Sequence, residues 1–331
     1  MSEDINFSAL RVLIIGDVML DSYMWGSINR QSPEAAVPVN EITKKDVRLG
    51  GAANVAHNIF SLGARPILLS MTGCDQAARL LQLKMEEAGV SSDHIVQHSG
   101  RTTTVKTRVF ANGRQLIRLD EEDADDINEE QENILLQRFH AIINSEKTDA
   151  IILQDYNKGI LTKRLIAQVL KLAAEKGINV SVDPKAKNFV AYKDVFLLKP
   201  NLNEFKEIVS QEIDSLSLEC LSKHARELRD KMHFKNLMVT LGSDGIYCLP
   251  QNGNAFIACA RPIDVVDVSG AGDTVISLAT LTLAVNRTIK EAAGLSNTGA
   301  GVVCRKEGVA TVDLNELHEF TLSQVKEFSI L

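Results

Sequence analysis

The chain has 331 residues, 45% hydrophobic and 24% charged, with a formal net charge of −7, so it can bury a large core without disulfides or metals. The negative balance argues against a nucleic acid or a membrane surface as the main partner, since both favour clustered Lys and Arg. Cys74, Cys220, Cys248, Cys259 and Cys304 form no Cys-x-x-Cys pair, and neither an export leader nor a membrane-spanning apolar run is visible, which predicts a cytoplasmic protein with reduced thiols.

Arg11-Val12-Leu13-Ile14-Ile15-Gly16-Asp17 is a short apolar run ending in Gly-Asp, the pattern of a buried parallel strand that delivers an acid to its C-terminal edge. Residues 36–42 read as extended, and Arg48-Leu49-Gly50-Gly51-Ala52-Ala53-Asn54 then places two glycines ahead of a helix expected over 53–62. A core strand at 66–70 and a helix at 77–88 follow. Two extended runs, 102–110 and 115–119, flank Asn112-Gly113, a hairpin signal. These β-rich pieces predict a small lid, inserted in the core at about 26–48 and 100–120, able to cover a substrate and exclude water from a transferable phosphate. Its exposed strand edges could pair across a twofold, which predicts a homodimer.

The acidic stretch 120–132 reads as a solvated loop entering a helix over 129–144. Strands are expected at 150–155, 178–183, 195–198 and 237–242, with helices at 162–176 and 221–232 between them. The alternation predicts a doubly wound α/β core whose ligands lie beyond the strand C-termini, where Asp17, Asp155, Asp183 and Thr240 fall. No repeat or linker divides the chain, so one domain over residues 1–331 is expected.

Asp267-Val268-Ser269-Gly270-Ala271-Gly272-Asp273-Thr274, just before an apolar helical run, reads as a phosphoryl-transfer site. Gly270, Ala271 and Gly272 would present bare amides at a helix N-terminus, an anion hole. An aspartate there repels phosphate but suits the removal of a proton from an attacking hydroxyl, so Asp273 is the candidate base; a plain N-cap is the alternative. Asn54 could offer donor and acceptor to a sugar hydroxyl, or simply belong to a tight turn. Asn201 and Glu204, one turn apart, suit hydrated Mg²⁺ between ATP phosphates, or a capping box. No P-loop or dinucleotide fingerprint occurs, and the seven histidines show no ligand-like spacing.

Gly50-Gly51-Ala52-Ala53-Asn54 together with Asp267-x-x-Gly270-Ala271-Gly272-Asp273 resembles the paired signature of the ribokinase, or PfkB-type, carbohydrate kinases. The resemblance implies a ribokinase-like three-layer α/β/α sandwich with a β-stranded lid. Within that superfamily, residues 16–21, 32–35, 115–120, 155–159 and 183–185 resemble the kinase of ADP-heptose synthesis, and the match runs from about Arg11 to Thr311. It implies ATP-dependent phosphorylation of the C1 hydroxyl of D-glycero-β-D-manno-heptose 7-phosphate, on the way to the lipopolysaccharide core. Many members carry a nucleotidyltransferase domain with a His-x-Gly-His motif; none is found here, so a separate protein is expected to supply that step.

Residue by residue, the resemblance makes Asp273 the base and Gly270, Ala271 and Gly272 the anion hole. It places Asn201 and Glu204 near Mg²⁺ and phosphate, Thr240, Gly242 and Gly245 at the nucleotide, and Asn297 near adenine. Asp17, Asp21, Gly51 and Asn54 would hold sugar hydroxyls. Arg118 and Lys185 are the first choices for the substrate phosphate, followed by Lys106, Arg108 and Lys158. Asp267 and Ser269 match positions that hold a monovalent cation such as K⁺ in some relatives, with serine at 269 where threonine is usual. Two other readings stand beside this one: the same chemistry on another sugar, and a sugar-binding regulator without turnover.

Overall fold

The computed structural model describes residues 5–210, 213 and 215–328. In chain order its strands and helices are β1 (Arg11–Gly16), β2 (Val18–Gln31), β3 (Pro38–Gly51), α1 (Ala52–Ser61), β4 (Arg65–Thr72), α2 (Gln76–Glu87), β5 (Ile95–Gln97), β6 (Thr104–Ala111), β7 (Arg114–Glu121), α3 (Glu129–Ser145), β8 (Ala150–Gln154), α4 (Lys163–Glu175), β9 (Asn179–Asp183), β10 (Leu197–Leu198), α5 (Leu202–Val209), α6 (Leu218–Met232), β11 (Asn236–Thr240), β12 (Ile246–Leu249), β13 (Phe256–Ala258), α7 (Ala271–Ala284), α8 (Ile289–Val303) and α9 (Leu314–Phe328).

β1 is apolar after Arg11 because both its faces are covered. Val12 and Ile14 join one core with α1, α2, α7 and α8; Leu13 and Ile15 join the other with α3 to α6. Each fully buried Ile or Leu stabilises the fold by about 1.5–3 kcal/mol, so the sheet is a rigid platform for whatever its edge carries. Nine strands make it, in the order β13-β12-β11-β10-β9-β8-β1-β4-β5. β1 pairs in parallel with β4 on one side and β8 on the other, so the winding reverses at β1. In such sheets the crevice at the reversal is where a ligand fits. The far edge differs from the sequence reading: β12 and β13 run antiparallel, and only two residues of 195–198 pair as a strand.

The lid is a separate four-stranded sheet, β3-β2-β6-β7. It starts at Val18, well before the expected 26, because β2 turns out of the core one residue after β1 ends. Asn112 and Gly113, with φ of 51° and 77°, make the tight turn between β6 and β7. All of β7 is exposed, so the lid lacks the two-sided support of the platform. No helix among the described residues is long and apolar enough to cross a membrane.

Candidate active site

Gly270, at φ 82°, lets the chain enter α7 in a left-handed conformation, and a side chain there would come within 3.0 Å of Asn54 Nδ2. α7 is held to α1 by Thr274 Oγ1, which donates to Asn58 Oδ1 at 2.9 Å. This packing fixes Asp273, which is buried in the first turn of α7. Its Oδ2 accepts a hydrogen bond from Asn54 Nδ2 at 2.7 Å. Its Oδ1 accepts from Tyr156 Oη at 2.8 Å and Gln154 Nε2 at 3.1 Å.

Burial pushes the Asp273 carboxyl up to about 7, against the hydrogen bonds from Asn54 and Tyr156; nearby Asp183 adds to the rise and Lys199 opposes it. A base poised near neutral pH suits proton removal from a hydroxyl.

Lys199, at the end of β10, is almost wholly buried, with its Nζ 3.0 Å from Asp183 Oδ2. Gln154 Nε2 also donates to that oxygen at 3.0 Å, so a single amide bridges Asp183 and Asp273. A side chain at Gly272 would lie 3.5 Å from Lys199 Nζ. The ammonium therefore borders the first turn of α7. Lys199, Gln154 and Tyr156 were not selected from the sequence. The only signal for Lys199 is its place before Pro200-Asn201 at a strand end, which says nothing about burial.

A cavity of about 460 Å³ opens on the other side of the α7 N-terminus, lined by Thr240, Gly242, Gly245, Asn297, Ala271 and Gly272 among others. Four residues expected at the nucleotide thus meet two of the anion hole. Gly245 has φ 100°, and a side chain there would run into the Ala258 carbonyl. Asn297 Nδ2 donates to Ala258 O at 2.7 Å, tying α8 to β13. Asn201 and Glu204 make a capping box for α5, with bonds of 2.9 and 2.8 Å. Glu204 Oε1 also accepts from Lys185. An isolated bridge from Asn201 to Thr240 puts this cap beside the cavity. Asp267 accepts from the N–H groups of Ser269 and Gly308, closing the loop before α7 onto the segment after α8.

On the lid side, Asp21 is buried and its Oδ1 accepts from Arg108. Gly51, at φ 58°, brings the backbone within contact of the Asp17 carbonyl, where a side chain would clash. Asn54 faces Asp273 and Asn58 through its amide. Asp17 has a further role beside the one expected. Its carboxylate accepts from the backbone N–H groups of Tyr156, Lys158 and Ile160, at 2.8, 3.1 and 3.1 Å, so it anchors the loop after β8. Burial, with Asp155 close by, pushes it up to about 6 in spite of those three bonds.

The cations expected at the substrate phosphate are all paired. Arg118 binds Asp120 through two nitrogens, Lys106 joins Asp120 to Glu122, and Lys158 holds the other oxygen of Glu122. Arg108 lies opposite Arg118 across β6 and β7, on the same lid face, yet their side chains are 18% and 53% exposed. Of the two first choices for the phosphate, Arg118 is thus the most solvated of the group and Lys185 is held by Glu204.

A model of the pfkB family of carbohydrate kinases matches residues 10–316. The chain belongs to that family. Two bifunctional HldE proteins are similar to this pfkB kinase. That of Syntrophotalea carbinolica is 39% identical over 320 residues, 96% of this chain and 64% of its own length. That of Desulfatibacillum aliphaticivorans is 40% identical over 312 residues, 94% and 63%. The chain thus spans less than two thirds of the length of these relatives. Phosphofructokinase-2 from Escherichia coli in complex with potassium matches with a TM-score of 0.77 at 20% identity, covering 95% of this chain and 98% of that one. Arabidopsis thaliana ribokinase complexed with ribose and ATP matches with a TM-score of 0.73 at 16% identity, covering 94% and 98%. The fold of this pfkB kinase is ribokinase-like, and its family makes it a sugar kinase.

Proposed function

We propose that this kinase transfers the γ-phosphoryl group of ATP to the C1 hydroxyl of D-glycero-β-D-manno-heptose 7-phosphate, forming the 1,7-bisphosphate used for ADP-heptose and lipopolysaccharide core. The observation that carries the reading is the place of Asp273. Its buried carboxylate accepts from Asn54 of the first glycine motif and sits in the first turn of α7, whose residues Ala271 and Gly272 line the cavity and whose Gly272 lies beside Lys199. The sequence motifs shared with the kinase of ADP-heptose synthesis support the choice of sugar, as does 35–40% identity to proteins named HldE.

In the reaction, the sugar oxygen bonds to the γ-phosphorus, its proton passes to Asp273, and the bond from phosphorus to the bridging oxygen breaks as ADP leaves. The Ala271 N–H is taken by the Val268 carbonyl at 3.2 Å, so the amides of Gly270 and Gly272, with Lys199, would meet the charge that develops on the transferred group. Mg²⁺ would arrive on the nucleotide and neutralise its phosphates. Both Glu204 oxygens are engaged, by the Asn201 N–H and by Lys185, which fits contact through water. Asp267 keeps lone pairs beyond its two backbone bonds, which is compatible with K⁺. The lid cations Arg118 and Lys106, with Lys158 from the loop after β8, would meet the 7-phosphate by exchanging Asp120 and Glu122 for it.

Exposed β7 carries Leu116, Ile117 and Leu119, which supports a homodimer through the lid. The reading places the enzyme in the cytoplasm. It is tested by ATP consumption with Mg²⁺ against heptose 7-phosphate, sedoheptulose 7-phosphate, fructose phosphates, ribose and free heptose, with the new phosphate located by NMR. Turnover confined to heptose 7-phosphate, at C1, is expected; preference for another sugar overturns the substrate.

A further inference from the structure

The loop after β8 carries a side chain that the chemistry above leaves without a part. Asp17 fixes its backbone through three N–H groups, and Asp155 Oδ1 accepts from the N–H of Asn157 at 2.8 Å. A loop held this firmly can aim a side chain, and the one it aims is Tyr156, whose hydroxyl lies 2.8 Å from Asp273 Oδ1.

A carboxylate oxygen accepts about two hydrogen bonds in good geometry. Oδ1 of Asp273 already has two donors, Tyr156 and Gln154, whereas Oδ2 has one, Asn54. One acceptor position therefore remains, and it is on Oδ2. We propose that Tyr156 is a positioning residue for phosphoryl transfer: its phenol holds Asp273 ionised and in place through Oδ1, leaving Oδ2 as the atom that takes the proton from the attacking hydroxyl.

The proposal rests on Asp273 being the base. It does not rest on which sugar is bound. Proton balance is simple, because Tyr156 donates a hydrogen bond and keeps its proton; burial beside Asp273 holds the phenol well above its ordinary range. The other charged groups that face this pair are Asp183 from β9, Lys199 from the end of β10, Asp21 from β2, and Lys185, whose Nζ lies 5.5 Å from the centre of the Tyr156 ring. All four stay in place when only the hydroxyl is removed, so a change in Asp273 reports the lost hydrogen bond.

The test is a ¹³C NMR titration of the Asp273 carboxyl in the protein free of sugar and nucleotide, assigned with Asp273→Asn, for wild type and Tyr156→Phe. Loss of a donor to a charged acceptor should move the midpoint up by on the order of one pH unit. The acid limb of kcat/KM should move with it, and kcat should stay below wild type on the alkaline plateau, where ionisation is complete. An unmoved midpoint in a variant with unchanged thermal unfolding overturns the proposal, as does full recovery of kcat on the plateau. The titration needs no substrate, so it decides on Tyr156 even if heptose 7-phosphate proves to be the wrong sugar.

Discussion

Asn54 on α1 and Asp273 on α7 are 219 residues apart in the chain and meet through a 2.7 Å hydrogen bond. Each belongs to one half of the glycine-containing pair of motifs, so the two halves are parts of one contact. The amide donates to the carboxylate that burial keeps near neutrality, which ties the position of the base to the start of both helices.

With Asp273 titrating at about 7, kcat/KM should fall tenfold per pH unit below that point, because only the ionised form accepts a proton. Asp273→Asn should lower kcat by ~10²–10⁴ while leaving nucleotide binding largely intact. A pH profile flat from 6 to 8, or near-normal turnover in the variant, would remove Asp273 from its role.

The same carboxyl affects stability. Its folded value is raised above the ordinary 3.8, so the folded state holds the proton to higher pH than the unfolded chain does. The resulting stabilisation is complete below about 4 and is lost as pH rises through 7. Between pH 5.5 and 8 the wild type should lose about 2 kcal/mol through this group. Asp273→Asn should lack that loss, so urea unfolding of the two proteins at both pH values should show the difference between them changing by this amount. A constant difference would mean the carboxyl titrates in its ordinary range.

Lys199 and Asp183 form a buried ion pair. Lys199→Met leaves a buried carboxylate without its cation, which should cost about 3–5 kcal/mol in urea unfolding. Adding Asp183→Asn should restore much of that stability. Activity should not return with it, since the cation beside the α7 amides is still missing. Recovery of turnover in the double variant would make Lys199 a structural residue only.

How legible these parts were in the sequence follows from what each one needs. Strands such as β1 and β8 declare themselves because burial on both faces demands unbroken apolar runs. The turn that places Asp273 at the start of α7 was legible because glycines just before an apolar helical run mark a tight entry to a helix. The anchoring role of Asp17 was not legible: a carboxylate at a strand end looks the same in sequence whether or not it also holds three backbone N–H groups. Gln154 and Lys199 were invisible for a related reason, since their importance comes from partners on other strands. The ion pairs of the lid could not be read either, because they depend on the β6–β7 register across the Asn112-Gly113 turn.

That register sets up a comparison between two arginines. Arg108 and Arg118 are directly opposed, but Arg108 is paired with buried Asp21 while Arg118 sits largely in solvent with Asp120. Arg118→Ala should change stability by no more than about 1 kcal/mol, as for an exposed pair. If Arg118 meets the substrate phosphate, KM for the phosphorylated sugar should rise more than KM for ATP. Arg108→Ala strands the buried Asp21 carboxylate on β2, and should destabilise the protein more than Arg118→Ala does. It should also raise KM for the sugar whether or not that sugar carries a phosphate, because Asp21 is expected to hold a hydroxyl. Steady-state kinetics with a phosphorylated and an unphosphorylated acceptor separates the two: a phosphate-dependent loss for Arg108→Ala and none for Arg118→Ala would transfer the phosphate contact from the exposed arginine to the buried one.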